Sequence, residues 1–299
     1  MWKILCFMLA SCVALSLHAE TQRVEGLAFD SVLVFGAVEV EISQGDSTEL
    51  MLRGPAEDLA KQPFLMEGST LVLGVSREHR KENFSNVKFK LATPSLSHLE
   101  LKGTGDVYVK PFVGDEVFVS VAGSGDLRLF DLQGEELTLQ MSGSGGIQAA
   151  KLATRKLIIA LSGSGDIQLG KVQVEDMEVS LRGSGDIVLA QNSASSSSPS
   201  ATDSSATGRS SASHSSGPSG LPDNAISNLE VNIVGSGDVD LHHLNARHAE
   251  VNIVGSGDAR LGILSDLEVN ILGSGDVVYR GNPDINQTVL GSGDLRIER

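Results

Sequence analysis

The tetrapeptide G-S-G-D, or a near copy of it, recurs nine times, with its first glycine at Gly103, Gly123, Gly143, Gly163, Gly183, Gly235, Gly255, Gly273 and Gly291. The successive spacings are 20, 20, 20, 20, 52, 20, 18 and 18 residues. Self-similarity at such a period is the mark of a solenoid, in which each repeat is one coil that buries its apolar face only against its neighbours.

Between tetrapeptides the apolar residues fall at offsets +4, +6, +9, +14, +16 and +18 from the first glycine. From Gly123 these are Leu127, Leu129, Leu132, Leu137, Leu139 and Met141; from Gly163 they are Ile167, Leu169, Val172, Met177, Val179 and Leu181. On both sides of each tetrapeptide apolar and polar residues alternate, which is the period of a strand buried on one face. A coil of about 20 residues is too short for a strand with a crossover helix, which needs roughly 30. The expected fold is all-β: a single-chain parallel β-helix of about nine coils with a strand-rich capping region at its N-terminal end. The paired glycines suit a bend where stacked backbones approach closely.

The first residues read as an export signal. Lys3 is followed by a largely apolar run from Ile4 to Leu17, and Leu17-His18-Ala19 offers a cleavage site before Glu20. Leu9-Ala10-Ser11-Cys12 also resembles a bacterial lipobox, in which Cys12 is lipidated and becomes the new N-terminus. Both readings place the protein outside the cytoplasm, in the periplasm or on the outer-membrane surface of a Gram-negative bacterium. The two cysteines, Cys6 and Cys12, both lie within this leader, so ordinary cleavage leaves no thiol for a disulfide, a metal or a nucleophile. Losing the one positive charge of Lys3 takes the formal net charge from −15 to −16. Such an acidic chain is a poor partner for nucleic acid or an anionic membrane surface. The apolar run of the leader is shorter than a membrane-spanning helix needs, and no later segment is longer.

The expected divisions are a signal at 1–19, a β-rich cap at 24–95, a first β-helix block at 96–190, a serine-rich insertion at 191–222 and a second block at 223–299. In the cap, strands are expected at 32–35, 38–42, 50–53, 71–75 and 87–91, with a short helix at 56–62. The cap seals strand edges that an open solenoid end would expose. No such seal is evident after the last tetrapeptide, so a homo-oligomer formed through that end is one expected association. Residues 191–220 are nearly half serine, a composition that buries no core.

The lead Phe29-Asp30-Ser31-Val32 and Val38-Glu39-Val40-Glu41-Ile42, followed by the stretch from Leu96 to Asp106 running into repeated G-S-G-D corners, resembles the autotransporter adhesin head GIN domain family. The likeness extends from about Gly26 to Arg299. It implies an exported β-helical domain of the bacterial envelope and carries over no catalytic residue. Nothing in the chain is long enough to form the membrane barrel that an autotransporter needs.

The fourth corner position stacks Asp106, Asp126, Asp166, Asp186, Asp238, Asp258, Asp276 and Asp294 about 4.8 Å apart. These carboxylates are expected to accept backbone N–H or serine hydroxyl bonds at the bend. The alternative is calcium, held by Asp238, Asp258, Asp276 and Asp294, since hard cations take carboxylate oxygens. Gly146 interrupts the column, which a bend tolerates better than a row of metal sites does. His242, His243 and His248 lie on one looser corner, and imidazoles bind zinc; no acidic partner pattern accompanies them. No catalytic residue, cofactor or resident metal is expected.

One feature is not demanded by the coil. The residue before the first glycine points outward; it is Lys102, Ala122, Ser142, Ser162 and Arg182 in the early repeats, then Val234, Val254, Leu272 and Leu290. Four stacked apolar side chains form an exposed stripe of the kind that marks a contact surface. Beside it, Asn232, Asn252 and Asn270 are expected to form a hydrogen-bonded ladder. The function expected is a non-enzymatic structural, adhesive or protein-interaction module whose partner is an envelope protein or glycan. The alternatives are a polysaccharide-binding or polysaccharide-processing β-helix, disfavoured by an aromatic content of 4%, and a scaffold that polymerises end to end.

Overall fold

The structure is a computed structural model and describes residues 19–79, 81–190 and 225–298. Residues 1–18 of the expected signal, with both cysteines, and the serine-rich insertion at 191–222 lie outside the described residues. Strand accounts for 70% of the chain and helix for 2%, and the strands wind as a parallel β-solenoid. The nine corners bound about eight complete turns, so the expected architecture is the observed one.

Successive coils pair in parallel with no slip through most of the stack. Leu139 stands opposite Ile159 and Ile159 opposite Val179, and all three are fully buried. The ladder joining the coils that start at Gly123 and Gly143 breaks at residues 130 and 135. Each coil therefore has three runs: a short one after the tetrapeptide, a middle one, and a longer one leading to the next tetrapeptide. Offsets +4 and +6 fill the core from the first run, +9 from the second, and +14, +16 and +18 from the third. The first 18-residue coil is shortened around the looser corner, between the Leu241–Leu261 and Ala246–Leu264 pairs, and between the two 18-residue coils the register shifts locally between Arg260 and Ile263 and between Leu264 and Asp266.

Backbone contact at the corner explains the glycines. The first glycine of each tetrapeptide has φ between +134° and +147°, a region that a side chain disfavours. A Cβ on either glycine would lie 1.9–2.3 Å from a carbonyl oxygen of the preceding corner. Up to Gly183 the carbonyl of the first glycine accepts two N–H groups from the next coil, as when Gly103 O takes Ser124 N at 2.9 Å and Gly125 N at 3.0 Å; from Gly235 on it accepts the serine N–H.

The expected cap contributes a coil of its own. Ser31–Gly36 and Glu39–Gln44 flank a tenth corner, with Gly36 paired to Gly103 and Glu39 to Asp106. On its other side this coil pairs in parallel with Thr70–Leu73 and Lys88–Thr93. The chain thus leaves the stack after residue 44, returns outside its own first coil, and then crosses to Leu99. Glu49–Pro55 adds antiparallel to Lys88–Thr93, and Ala19–Glu25 adds antiparallel to Glu49–Pro55. Phe64–Glu67 covers Thr70–Leu73 in the same antiparallel manner. The helix is Ala56–Ala60, two residues shorter at its end than the sequence suggests, and it buries Leu59. Antiparallel strands halt the parallel stack at this end. At the opposite end the inward position held by Val231, Val251 and Val269 passes to Gln287, and the neighbouring Ile285 is 43% exposed.

The corner contact yields a stability prediction. Gly185→Ala places a methyl group 1.9 Å from Gly165 O and is expected to cost about 3 kcal/mol. Gly68→Ala, where φ is +63° and no atom lies within 4 Å, should cost about 1–2 kcal/mol from backbone conformation alone. Denaturant unfolding of both variants measures the difference.

Candidate functional site

The third run of each coil presents outward the residues one, three, five and seven places before the corner glycine. In the last four coils these columns carry distinct chemistry. The first column is the expected stripe: Val234, Val254, Leu272 and Leu290 stand in register and are 46%, 45%, 55% and 64% exposed. The core behind them is complete without them, so the stripe is surplus to folding.

The second column holds the asparagines in the ladder expected from the sequence. Asn252 Nδ2 donates to Asn232 Oδ1 and Asn270 Nδ2 to Asn252 Oδ1, each at 3.0 Å. The ladder also bonds sideways, a feature the sequence reading missed. Asn232 Nδ2 donates to Glu230 Oε1 at 2.7 Å and Asn252 Nδ2 to Glu250 Oε1 at 3.0 Å. These glutamates belong to a third column, in which Glu178, Glu230, Glu250 and Glu268 are stacked in register. The fourth column adds Asn228, His248, Asp266 and Asp284. Counting the residue five places before each corner would have disclosed the glutamate row.

The corner aspartates are tied to the main chain of the next coil. Asp238 Oδ1 accepts Asp258 N–H at 2.8 Å, Asp258 Oδ1 accepts Asp276 N–H at 2.8 Å, and Asp276 Oδ1 accepts Asp294 N–H at 2.9 Å. The same bond joins Asp166 to Asp186 and Asp186 to Asp238. Below Asp166 the column is interrupted by Gly146, and there the Asp166 N–H turns to Gly145 O at 3.3 Å. Arg296 reaches Asp276 and Asp294 at 3.2 and 2.9 Å. The geometry favours a corner role for these carboxylates. Among the described residues no group of three or more His, Cys, Asp or Glu is arranged to hold a metal ion.

The histidines divide. His242 Nδ1 meets Asp240 Oδ1, and the rings of His242 and His243 lie 3.7 Å apart. His248 belongs instead to the outward sheet face opposite Asn228 and Asp266. Burial, then the neighbouring His242 and Arg280, hold the His243 imidazole below its ordinary range.

On a different face a groove of about 300 Å³ runs over three coils after Phe130. Phe130 forms its wall, Ala150, Gly170 and Ala190 its shallow floor, and Gln148, Gln168 and Arg128 its polar edge. The Lys110 ammonium sits 4.7 Å from the Phe130 ring centroid. The signal in the sequence is the column seven residues after each corner, where Lys110 and Phe130 give way to small residues.

Residues 28–209 and 223–283 match the family described as "Putative auto-transporter adhesin, head GIN domain". The chain belongs to this family. The fold is shared with a "putative adhesin" from Parabacteroides merdae, at 16% identity and a TM-score of 0.65, over 94% of this chain and 96% of that one. A "putative adhesin" from Parabacteroides distasonis matches equally well, at 16% identity and a TM-score of 0.65, over 95% of this chain and 98% of the other. A "putative lipid binding protein" from the same species aligns at 21% identity and a TM-score of 0.61, over 94% and 97%. The comparison with curated proteins gives no match. No helix among the described residues is long and apolar enough to cross a membrane.

Two outcomes are expected of the corner and histidine geometry. Asp258→Ala leaves the Asp276 N–H without its acceptor and should cost about 1–2 kcal/mol, whereas Asp258→Asn keeps a carbonyl acceptor and should stay within about 0.5 kcal/mol of wild type. Thermal unfolding of the pair separates hydrogen bonding from charge. For His243 the folded pKa lies below the unfolded one, so the unfolded chain binds the proton more readily. Its contribution is fully present above pH of about 6.5 and is lost as pH falls through the folded value. His243→Gln should therefore flatten the fall in melting temperature between neutral and mildly acidic pH.

Proposed function

We propose that this chain is a non-catalytic, exported interaction module of the bacterial envelope. Its contact surface is the outward face of the last four coils, centred on Val234, Val254, Leu272 and Leu290. The observation that carries the reading is the exposure of four aliphatic side chains in one unbroken row, a contiguous apolar patch that a solvated coil does not need. Membership of an adhesin-like family supports binding to other molecules, and the signal-like leader supports export. A β-helix is well suited to such a task because its outward residues repeat at a fixed pitch.

A second reading rests on the Phe130 groove. An aromatic wall, a floor of small residues and an edge of Gln148, Gln168 and Arg128 are the elements with which proteins hold a sugar ring: a flat apolar surface and amide or guanidinium hydrogen bonds. The protein from Parabacteroides distasonis described as a "putative lipid binding protein" raises an acyl chain as the competing ligand for that groove. Phe130→Ala is expected to abolish retardation of the protein in gels containing envelope polysaccharide, and unchanged mobility of wild type in every such gel would remove this reading.

For the main proposal, the test is recovery of crosslinked envelope proteins by wild type and by a Val254→Asp, Leu272→Asp double variant. Both positions point outward, so the variant should fold, which circular dichroism checks. Loss of discrete crosslinked partners from the variant is expected; equal recovery of every partner by both proteins would sink the assignment of this face.

A further inference from the structure

The columns beside the stripe give the partner a chemistry. In the last four coils the outward positions one, three, five and seven residues before the corner contain five carboxylates, Glu230, Glu250, Glu268, Asp266 and Asp284, one imidazole, His248, and no lysine or arginine. Glu178 extends the glutamate row by one coil. Stacked about 4.8 Å apart, these like charges repel, and no lysine or arginine in the four columns of the last four coils offsets them; Arg182 stands in the first column one coil earlier, below Val234.

The hydrogen bonding on this face points the same way. The asparagine amides between stripe and glutamates spend donors on one another and on Glu230 and Glu250, and Asn228 Nδ2 donates to Asp176 Oδ1 at 2.7 Å. Both donors of Asn252 and one each of Asn228, Asn232 and Asn270 are spent within the face, while each glutamate keeps further lone pairs for a donor from outside. A partner therefore has to bring N–H groups and positive charge to one edge, and aliphatic surface to the other.

The dimensions choose its shape. Apolar and acidic rows lie four residues apart along the strand, about 13 Å at the usual rise. The four coils span about 14 Å along the solenoid axis. An α-helix with its side chains is about 10–12 Å across, so one helix laid along the axis over the asparagine ladder touches both rows at once. At about 1.5 Å per residue it needs roughly ten residues to cover the four coils.

We infer that the face formed by Val234, Val254, Leu272, Leu290 and the Glu230, Glu250, Glu268 row docks a basic amphipathic helix of a partner protein. Aliphatic residues of that helix pack on the stripe, and its lysine or arginine flank meets the glutamates. This inference rests on the stripe being a contact surface and adds the charge and form of what it contacts.

The test uses the purified protein and a labelled amphipathic helical peptide of leucine and lysine, about 18 residues long, with a leucine and glutamate peptide as its counterpart. Fluorescence anisotropy at low and high salt reads binding. The lysine peptide is expected to bind, more weakly as salt rises, and the glutamate peptide not to bind. Glu230→Gln, Glu250→Gln, Glu268→Gln keeps each carbonyl acceptor for the asparagines and should weaken the lysine peptide by about tenfold. Removing the same number of charges from the other end, by Glu116→Gln, Glu135→Gln, Glu136→Gln, should leave binding within about twofold of wild type. Equal weakening by the two triple variants would reduce the effect to net charge and overturn the inference. Unaltered binding by the Glu230, Glu250, Glu268 variant would overturn it too. If that variant binds normally while Val254→Asp, Leu272→Asp still loses its envelope partners, the contact surface stands and the basic helix falls.

Discussion

At each of the nine tetrapeptide corners two glycines let one coil rest its backbone on the carbonyl of the coil before, and this contact fixes the pitch of everything else. A side chain there would have to occupy space within 1.9–2.3 Å of a carbonyl oxygen, so from Gly103 onward both corner columns are glycine. Once the corners are locked, the paired strands between them cannot slip without lifting those contacts. Inward columns then meet like with like, as Leu139, Ile159 and Val179 do. Outward columns are ordered by the same lock, although burial places no demand on them. A surface of straight rows is therefore a by-product of the corner, available for whatever chemistry those rows carry.

The rows contain two kinds of acidic column, and their surroundings differ. Each corner aspartate from Asp166 to Asp276 accepts the N–H of the next aspartate, so its charge is stabilised by main-chain dipoles that the fold supplies in any case. The glutamates have no such main-chain partner; Glu230 and Glu250 each take one amide from an asparagine. Two rows of carboxylates on one molecule are thus distinguished by where their hydrogen bonds come from. The aspartates belong to the corner, while the glutamates face the solvent and what arrives from it. A charge count from the sequence assigns both rows the same value and misses this division.

What the sequence made legible follows from the regularity of the coil. Nine tetrapeptides with alternating flanks imply parallel rungs, and the residue before each corner then has to point outward, so Val234, Val254, Leu272 and Leu290 were readable as a stripe. The tenth corner at Gly36 was not, because Gly36-Ala37-Val38-Glu39 keeps one glycine of the motif and stands 67 residues before the next corner, from Gly36 to Gly103. Its place between Thr70–Leu73 and His98–Gly103 depends on the chain leaving the stack and returning outside it, a path set by tertiary pairing and not by local pattern. The five strands anticipated in the cap are present, but Ala19–Glu25 and Phe64–Glu67 are added as antiparallel edges, and their hydrophobic alternation is too weak to announce them. The groove beside Phe130 escaped for another reason: it is made by the absence of side chains at Ala150, Gly170 and Ala190, and a search for reactive residues passes over small ones.

The change of surface chemistry halfway along the stack has no counterpart in the core. Arg182 and Val234 are direct neighbours across the insertion, and the buried columns run through that point without a break, as Val179 and Val231 show. Lysine, alanine, serine and arginine satisfy the outward position in the earlier coils, so folding does not call for valine and leucine in the later ones. Exposed aliphatic rows promote association with any apolar surface, a hazard when copies of the same protein meet. The acidic columns on the same face oppose that outcome, because a second copy laid face to face would set glutamates near glutamates in a protein of formal charge −15. A surface that attracts through its apolar row and repels its own kind through its acidic row is selective by construction. It discriminates by the sign of charge set about 13 Å from the aliphatic contact.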